Sequence, residues 1–302
     1  MKKDKIFDVI IIGGSYAGLA AGMALGRSLR QVLIIDNGEP CNRQTPHSHN
    51  FLTQDGTPPG EIAMIAKQQV ERYNTVEFFN GLATSGVKAE DLFTIQVASG
   101  ETFHSHRLVM ATGIRDIMPD IAGFAACWGI TVLHCPYCHG YEVRNEKTGI
   151  LANGDAAFEL CMLVSNWTKE LMLYTNGPSA LTSDQTATLE KHGIGIIEKS
   201  IAGLEHTNGH LRHITFSDDA IAPLTAIYAR CPFQLQDTIS QTLGCELTEE
   251  GLIKTDAFQQ TTVKGVYACG DNTTRLRTVA NAVSAGTTAG MMINREMIAA
   301  TF

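Results

Sequence analysis

The sequence predicts an α/β protein carrying two βαβ units, and three observations predict it. Between Phe7 and Asp36, two short β-branched runs flank a glycine-marked turn and an Ala/Leu-rich stretch, and the same grammar returns from Gly149 to Tyr174. Composition agrees: of 302 residues, 44% are hydrophobic and 18% charged, a balance that buries a core and excludes a disordered, collagen-like or low-complexity chain. At roughly 100 to 200 residues per domain, the length suggests two domains.

The elements follow in order. Phe7-Asp8-Val9-Ile10-Ile11-Ile12 reads as a strand, Gly13 to Gly18 as a tight turn, and the stretch running to about Arg30 as a helix. Val32-Leu33-Ile34-Ile35 is the second strand, closed by Asp36, and a strand–helix–strand unit of this kind implies a parallel sheet. Residues 37–60, rich in Asn, Pro, Thr, His and Gly, are too long for a plain connector and read as a binding loop. A helix is expected from Pro59 to about Arg72, then strands at Phe93 to Ala98 and Leu108 to Ala111. The second unit begins at Gly149, turns at Asn153-Gly154-Asp155, runs a helix from Ala156 to Trp167 and returns as Leu171 to Tyr174. A last strand at Gly265 to Cys269 leads through Gly270-Asp271 to an Ala/Gly/Met-rich helix from about Val279 to Ile298, whose stretch between Arg277 and Arg295 is uncharged and reads as buried.

Several classes are disfavoured. The net charge of −8, without a run of five like charges, argues against nucleic acid as a partner. Val9 to Gly26 is uncharged, but five glycines punctuate it, and Asp4 and Asp8 stand where a signal peptide carries positive charge, so neither a membrane span nor an export signal is expected. Eight cysteines are too few for a disulfide scaffold, and with no export signal the compartment is read as the reducing cytoplasm.

Chemistry concentrates at three places. Gly13-Gly14-Ser15-Tyr16-Ala17-Gly18, set between strand and helix with Asp36 beyond, has the parts of a dinucleotide cradle: close backbone approach to a pyrophosphate, a helix N-terminus favouring negative charge, and a carboxylate for ribose hydroxyls. Ser15 stands where the middle glycine is usual. His134-Cys135-Pro136-Tyr137-Cys138-His139-Gly140 places two thiols at disulfide spacing between two imidazoles. Disulfide exchange needs an attacking thiol, a resolving thiol and a proton carrier near neutral pH, which histidine supplies. A zinc site lacks a second Cys or His pair at the usual spacing, so no metal is expected; a pair of inert buried thiols stays open as an alternative. Gly270-Asp271 is a weaker signal, since Asp271 can also serve only as a helix cap.

With these motifs in hand, the chain resembles the low-molecular-weight thioredoxin reductases, and among them the branch of dithiol oxidases that close disulfides in metabolites of the gliotoxin and holomycin type. The resemblance spans nearly the whole length, through Gly13 to Gly18, the Asn50 loop, Ala111-Thr112-Gly113, Cys135 to Cys138, the second βαβ unit and Gly270-Asp271. It implies two Rossmann-like dinucleotide-binding domains of three-layer ββα type. An FAD domain would be made of residues 1–116 and 235–302, and an NAD(P)-type domain, residues 117–234, would be inserted between them and carry the Cys pair. It also implies a homodimer and a dithiol or disulfide substrate, either a small molecule or a thioredoxin-like protein.

The resemblance assigns residues too. Gly13, Gly14, Ser15, Ala17 and Gly18 would lie at the FAD pyrophosphate, Asp36 at its ribose, Asn50 near the flavin ring and Asp271 at the ribityl and phosphate end, with Thr112, Gly113 and Gly270 in the same cofactor set. Val279 and Ala280 stand where the reductases carry an Arg-Gln pair, so contact there falls to backbone. Cys138 would face the flavin, Cys135 would exchange with substrate, and His139, where the reductases carry an acid, would be the first proton carrier, with His134 second. The departures gather in the second nucleotide fold: Ala152-Asn153-Gly154-Asp155-Ala156-Ala157 replaces a glycine-rich turn, and Thr175-Asn176-Gly177 stands where arginines would hold a 2′-phosphate. NAD(P)H binding is therefore in question. An NAD(P)H-dependent reductase, an O2-dependent dithiol oxidase and a flavoprotein module without turnover are the competing readings.

Overall fold

The structure, a computed structural model, describes residues 5–302. It holds two compact units. The first takes the chain up to Arg43, Phe51–Arg115 and Phe233–Phe302; the second takes Gln44–Asn50 and Asp116–Pro232.

The chain opens with β1 (Ile6–Ile12), α1 (Tyr16–Arg27), β2 (Val32–Asp36), α2 (Pro59–Val70), β3 (Val76–Asn80), β4 (Ala83–Ala89), β5 (Leu92–Val97), β6 (Thr102–Met110) and β7 (Ile114–Asp116). The second unit follows with α3 (Phe124–Cys127), β8 (Val132–Leu133), α4 (Pro136–His139), β9 (Thr148–Leu151), α5 (Gly154–Val164), β10 (Leu171–Tyr174) and α6 (Ser183–Lys191). It continues through β11 (Gly195–Ile197), β12 (Ile201–Thr207), β13 (His210–Phe216), β14 (Ile221–Pro223) and β15 (Ala226–Ala229). The chain then returns to the first unit as β16 (Phe233–Leu235), α7 (Ile239–Thr242), β17 (Val266–Ala268) and α8 (Val279–Ala299).

The main sheet of the first unit runs β3-β2-β1-β6-β5-β4, with β17 also pairing β6. Neighbours β3, β2, β1, β6 and β17 are parallel, and β4 and β5 complete it antiparallel. Along one edge β6 is shared: Thr102 to Ser105 pair with β5, and Leu108 to Met110 pair with β17. Val9, Ile10 and Ile11 are wholly buried on both faces of β1, which is why a continuous apolar run rather than an alternating one makes this strand. Helix α8 packs on α1 by small residues: a Cβ on Gly286 would lie 2.0 Å from the Ala17 carbonyl oxygen, and one on Gly290 would lie 2.7 Å from that of Ala21. Backbone-to-backbone approach of this kind explains the small, uncharged residues of the first four turns of α8, and among the described residues no helix is long and apolar enough to cross a membrane.

The second unit has a parallel five-stranded sheet, β11-β10-β9-β15-β8, and an antiparallel sheet, β12-β13-β14. Leu133, Ile150, Leu160, Leu173 and Tyr228 are among its buried core. Residues 44–50, which the sequence places in the first segment, cluster with this unit: Gly129, at φ +76°, comes so near that a Cβ would lie 2.9 Å from Thr45 Oγ1. Both units are Rossmann-like, as the two βαβ patterns predict.

Candidate active site

In the first unit, β1 delivers the chain into the Gly13 turn. Gly13 has φ +103°, donates its N–H to Ile35 O at 2.8 Å, and has no room for a Cβ, which would lie 2.2 Å from Ala111 O. A Cβ on Gly18 would lie 1.8 Å from Gly13 O, so helix and turn close together only through glycine. Gly14 N–H donates to Asp36 Oδ1 at 2.9 Å, which brings the carboxylate ending β2 to the turn. Ser15 is the N-cap of α1 but its side chain makes no capping bond, and the first turn holds no acid. The helix therefore presents backbone donors and the positive end of its dipole beside a turn cleared of side chains, which fits a pyrophosphate.

The late turn meets the same place. Gly270, at φ +92°, would put a Cβ 3.1 Å from Ala17 Cβ, and Cys269 N–H donates to Met110 O at 3.0 Å. Asn272 is fully buried; its Nδ2 donates to Met110 O at 2.9 Å and to Thr112 Oγ1 at 3.3 Å, while its Oδ1 is buried without a hydrogen-bond donor. An orphaned acceptor at this point suits a bound group carrying donors. Thr112 Oγ1 donates to Asp237 Oδ2 at 2.6 Å, and the Asp271 carboxylate lies 3.7 Å from both Arg277 Nε and Cys41 Sγ. Thr278 caps α8, its hydroxyl accepting from Asn281 N–H at 3.1 Å, so Val279 and Ala280 are the first two helical residues.

Thus Gly13, Gly14, Ser15, Ala17, Gly18, Asp36, Thr112, Gly113, Gly270, Asp271, Val279 and Ala280 all belong to the first unit, and Asn50 belongs to the second. Asn272, Asp237 and Thr278 escaped the sequence reading; Asn272, next to Gly270-Asp271, had the one signal available.

The redox turn lies in the second unit. Cys135 and Cys138 form a disulfide with Cα atoms 5.3 Å apart, and Cys138 N–H donates to Cys135 Sγ at 3.1 Å. Cys135 is the N-cap and Pro136 the first residue of the single-turn α4, a position where proline's fixed φ suits the helix and its missing N–H costs nothing. Gly140 lets Trp167 close over the turn, since a Cβ there would lie 2.8 Å from the indole, and Tyr137 meets that indole edge-on at 5.7 Å. His134 stacks on Trp128 at 6.1 Å, which stacks on Phe124 at 5.7 Å. His139 is different. Burial, and then the neighbouring charge of His49, hold its imidazolium down to about 4, so it is a neutral base at physiological pH. The His49 ring meets it edge-on at 6.3 Å, and His49 Nδ1 lies 3.6 Å from Glu142 Oε1. Neither His49 nor Glu142 could be singled out in the sequence, because they lie 90 and three residues from His139 with no shared motif.

The second βαβ turn is sealed by its own side chain. Asn153 Oδ1 accepts from Gly154 N–H at 2.9 Å and from Ala180 N–H at 2.8 Å, and its Nδ2 donates to Pro178 O at 2.9 Å. Asp155 sits in the first turn of α5, where Gln185 Nε2 donates to it at 2.7 Å. After β10, Thr175 Oγ1 donates to Gly177 O at 2.6 Å within the loop, and Asn176 Oδ1 accepts from Ile201 N–H at the start of β12 at 2.8 Å, so the polar side chains of this loop too are engaged by the protein.

A Rossmann cradle cleared for a pyrophosphate, together with a half-buried redox disulfide on a second Rossmann-like unit, defines a flavin-dependent disulfide oxidoreductase. Residues 7–286 match the pyridine nucleotide-disulphide oxidoreductase family, and the chain belongs to it. It is 31% identical to the thioredoxin reductase tcpT of Claviceps purpurea, over 99% of this chain and 97% of that protein. Among solved structures, a putative thioredoxin reductase TrxB from Bacillus anthracis superposes with a TM-score of 0.94 at 29% identity, covering 98% of this chain and all of that one. The crystal structure of HlmI superposes with a TM-score of 0.93 at 30% identity, covering 99% and 95%. The protein is an FAD-dependent enzyme acting on sulfur groups, thioredoxin reductase-like and close to the gliotoxin/holomycin-type dithiol oxidases. It passes electrons between a dithiol or disulfide substrate, its redox disulfide and FAD.

Proposed function

We propose that the enzyme runs as a dithiol oxidase, taking electrons from a small dithiol and delivering them to O2 without a pyridine nucleotide. The observation that carries this reading is Asn153. Its side chain consumes the Gly154 and Ala180 N–H groups at the head of α5, where a dinucleotide's phosphates would need them, and Asp155 adds a negative charge at the same helix end.

In this reading the Gly13 to Gly18 turn, Asp36, Thr112, Gly113, Gly270, Asp271 and the N-terminus of α8 at Val279 and Ala280 would hold FAD. Bound there, FAD would supply two-electron redox chemistry, able to take a pair of electrons from a dithiol centre and to give them to O2. A substrate thiolate attacks Cys135, Cys138 leaves as thiolate, and the second substrate thiol closes the substrate disulfide and frees Cys135. His139, neutral, half-buried and next in sequence to Cys138, takes the thiol proton. His134, locked in the Trp128 stack, is the second candidate for that role. The working form is a cytoplasmic homodimer, in keeping with the chain's thiol usage and its family.

The test is anaerobic titration of the yellow holoenzyme with NADPH, then NADH, then dithiothreitol, following the visible flavin absorption. Bleaching by dithiothreitol alone, reversed by air, is expected. Bleaching by NADPH instead makes the enzyme a reductase, with a thioredoxin-like protein as the natural substrate. Silence towards all three leaves a flavoprotein module without turnover.

A further inference from the structure

We propose that His49, positioned by the Glu142 carboxylate, carries the proton from His139 out of the active site during thiol–disulfide exchange. The proposal rests on the oxidase reading and concerns residues within the second unit alone.

The need for such a residue follows from the balance of the reaction. When a dithiol reduces the Cys135–Cys138 disulfide, the substrate loses two electrons and two protons; the electron pair enters the two cysteine sulfurs, and the proton taken from the attacking thiol by His139 must be handed on. Net of reoxidation by O2, the dithiol and O2 become the disulfide and hydrogen peroxide, so a proton that His139 takes from the substrate must be passed on before the next turnover. His139 is poorly suited to keep them. It is half-buried, and its charged form is opposed first by desolvation and then by the charge of His49, so the two rings do not hold protons together.

The geometry supplies the exit. The His49 ring stands edge-on to His139, centroids 6.3 Å apart at 87°, and its Nδ1 lies 3.6 Å from Glu142 Oε1. Exposure rises along the row: the side chain of His49 is 19% exposed and that of Glu142 38%. Passing the proton from His139 to His49 exchanges an uncompensated buried charge for an ion pair nearer water. The other titratable groups around the row are His47, whose ring lies 6.4 Å from that of His49, and the buried Tyr228 hydroxyl, which feels the charge of Glu142. The loop holding His49 reaches this place because Gly129 leaves no side chain in the path of Gln44 and Thr45. His49 is thus a positioning and relay residue, one step removed from the reacting sulfurs.

The experiment is anaerobic stopped-flow reduction of the holoenzyme by dithiothreitol, comparing wild type with His49→Gln, Glu142→Gln and Cys138→Ser. With flavin content and visible spectrum unchanged, His49→Gln is expected to bleach about 100-fold more slowly, and added imidazole to restore most of the rate. Glu142→Gln is expected to lose about 10-fold, as the partner that orients the ring. Imidazole leaves Cys138→Ser inactive. Bleaching of His49→Gln within twofold of wild type, or a loss that imidazole does not touch, overturns the relay. If His49→Gln is purified without flavin, Glu142→Gln decides, and a rate equal to wild type overturns it. A wild-type enzyme that dithiothreitol fails to bleach overturns the oxidase reading instead.

Discussion

His139 shows how one residue's surroundings set its chemistry. The same imidazole on a surface would carry charge for part of the time near neutral pH; here burial and the neighbouring His49 keep it neutral down to about pH 4. The same displacement reaches stability. Between the ordinary histidine value of 6.5 and about 4, the unfolded chain binds a proton at this residue that the folded chain does not, so stability is unaffected above that window and falls as pH drops through it. The full displacement corresponds to roughly 3 kcal/mol. Urea unfolding of wild type and His139→Asn at pH 7 and near pH 4.5 is expected to show wild type losing more stability on acidification; equal losses would mean that His139 is not held neutral.

At the scale of elements, both units use the same βαβ framework, and their helix N-termini are treated in opposite ways. α1 begins with an N-cap that makes no side-chain bond and has no acid in its first turn, whereas α5 is capped by Asn153 and carries Asp155. A capping side chain contributes about 1 kcal/mol, and Asn153 also ties the Pro178 and Ala180 backbone. Asn153→Ala is therefore expected to lower the melting temperature by about 2–4 °C per kcal/mol lost. Dithiol turnover should stay at the wild-type level, because this turn serves structure in the proposed mechanism. A variant of wild-type stability would show that the three hydrogen bonds contribute nothing net; a collapse in dithiol turnover would tie the turn to catalysis. The strand and helix runs of both units were legible in the sequence because each is local: β-branched runs, a glycine turn and an apolar helix lie within about 30 residues. The sealing of the second turn was not, since Pro178 and Ala180 lie 25 and 27 residues from Asn153 and carry no motif.

For the whole molecule, the cleared cradle of the first unit ties folding to FAD. A ligand that binds only the folded state adds roughly 2.7 kcal/mol at about 100 times its dissociation constant. The flavin-free protein is accordingly expected to melt at a lower temperature, and to recover it in proportion to added FAD; a melting temperature indifferent to FAD would leave Gly13, Gly18 and the Asn272 acceptor without the ligand their geometry suits. What the sequence by itself determined is the α/β class, the two βαβ units, the redox dithiol and the cofactor it implies, because these depend on residue type at short spacing. Only the tertiary structure decided that His49 and Glu142 stand beside His139, that Asn272 donates to Thr112 while burying its own acceptor, and that residues 44–50 join the second unit. Such meetings follow from how strands pair and loops return across tens to hundreds of residues, and side-chain desolvation, which sets the state of His139, exists only once those surfaces have closed.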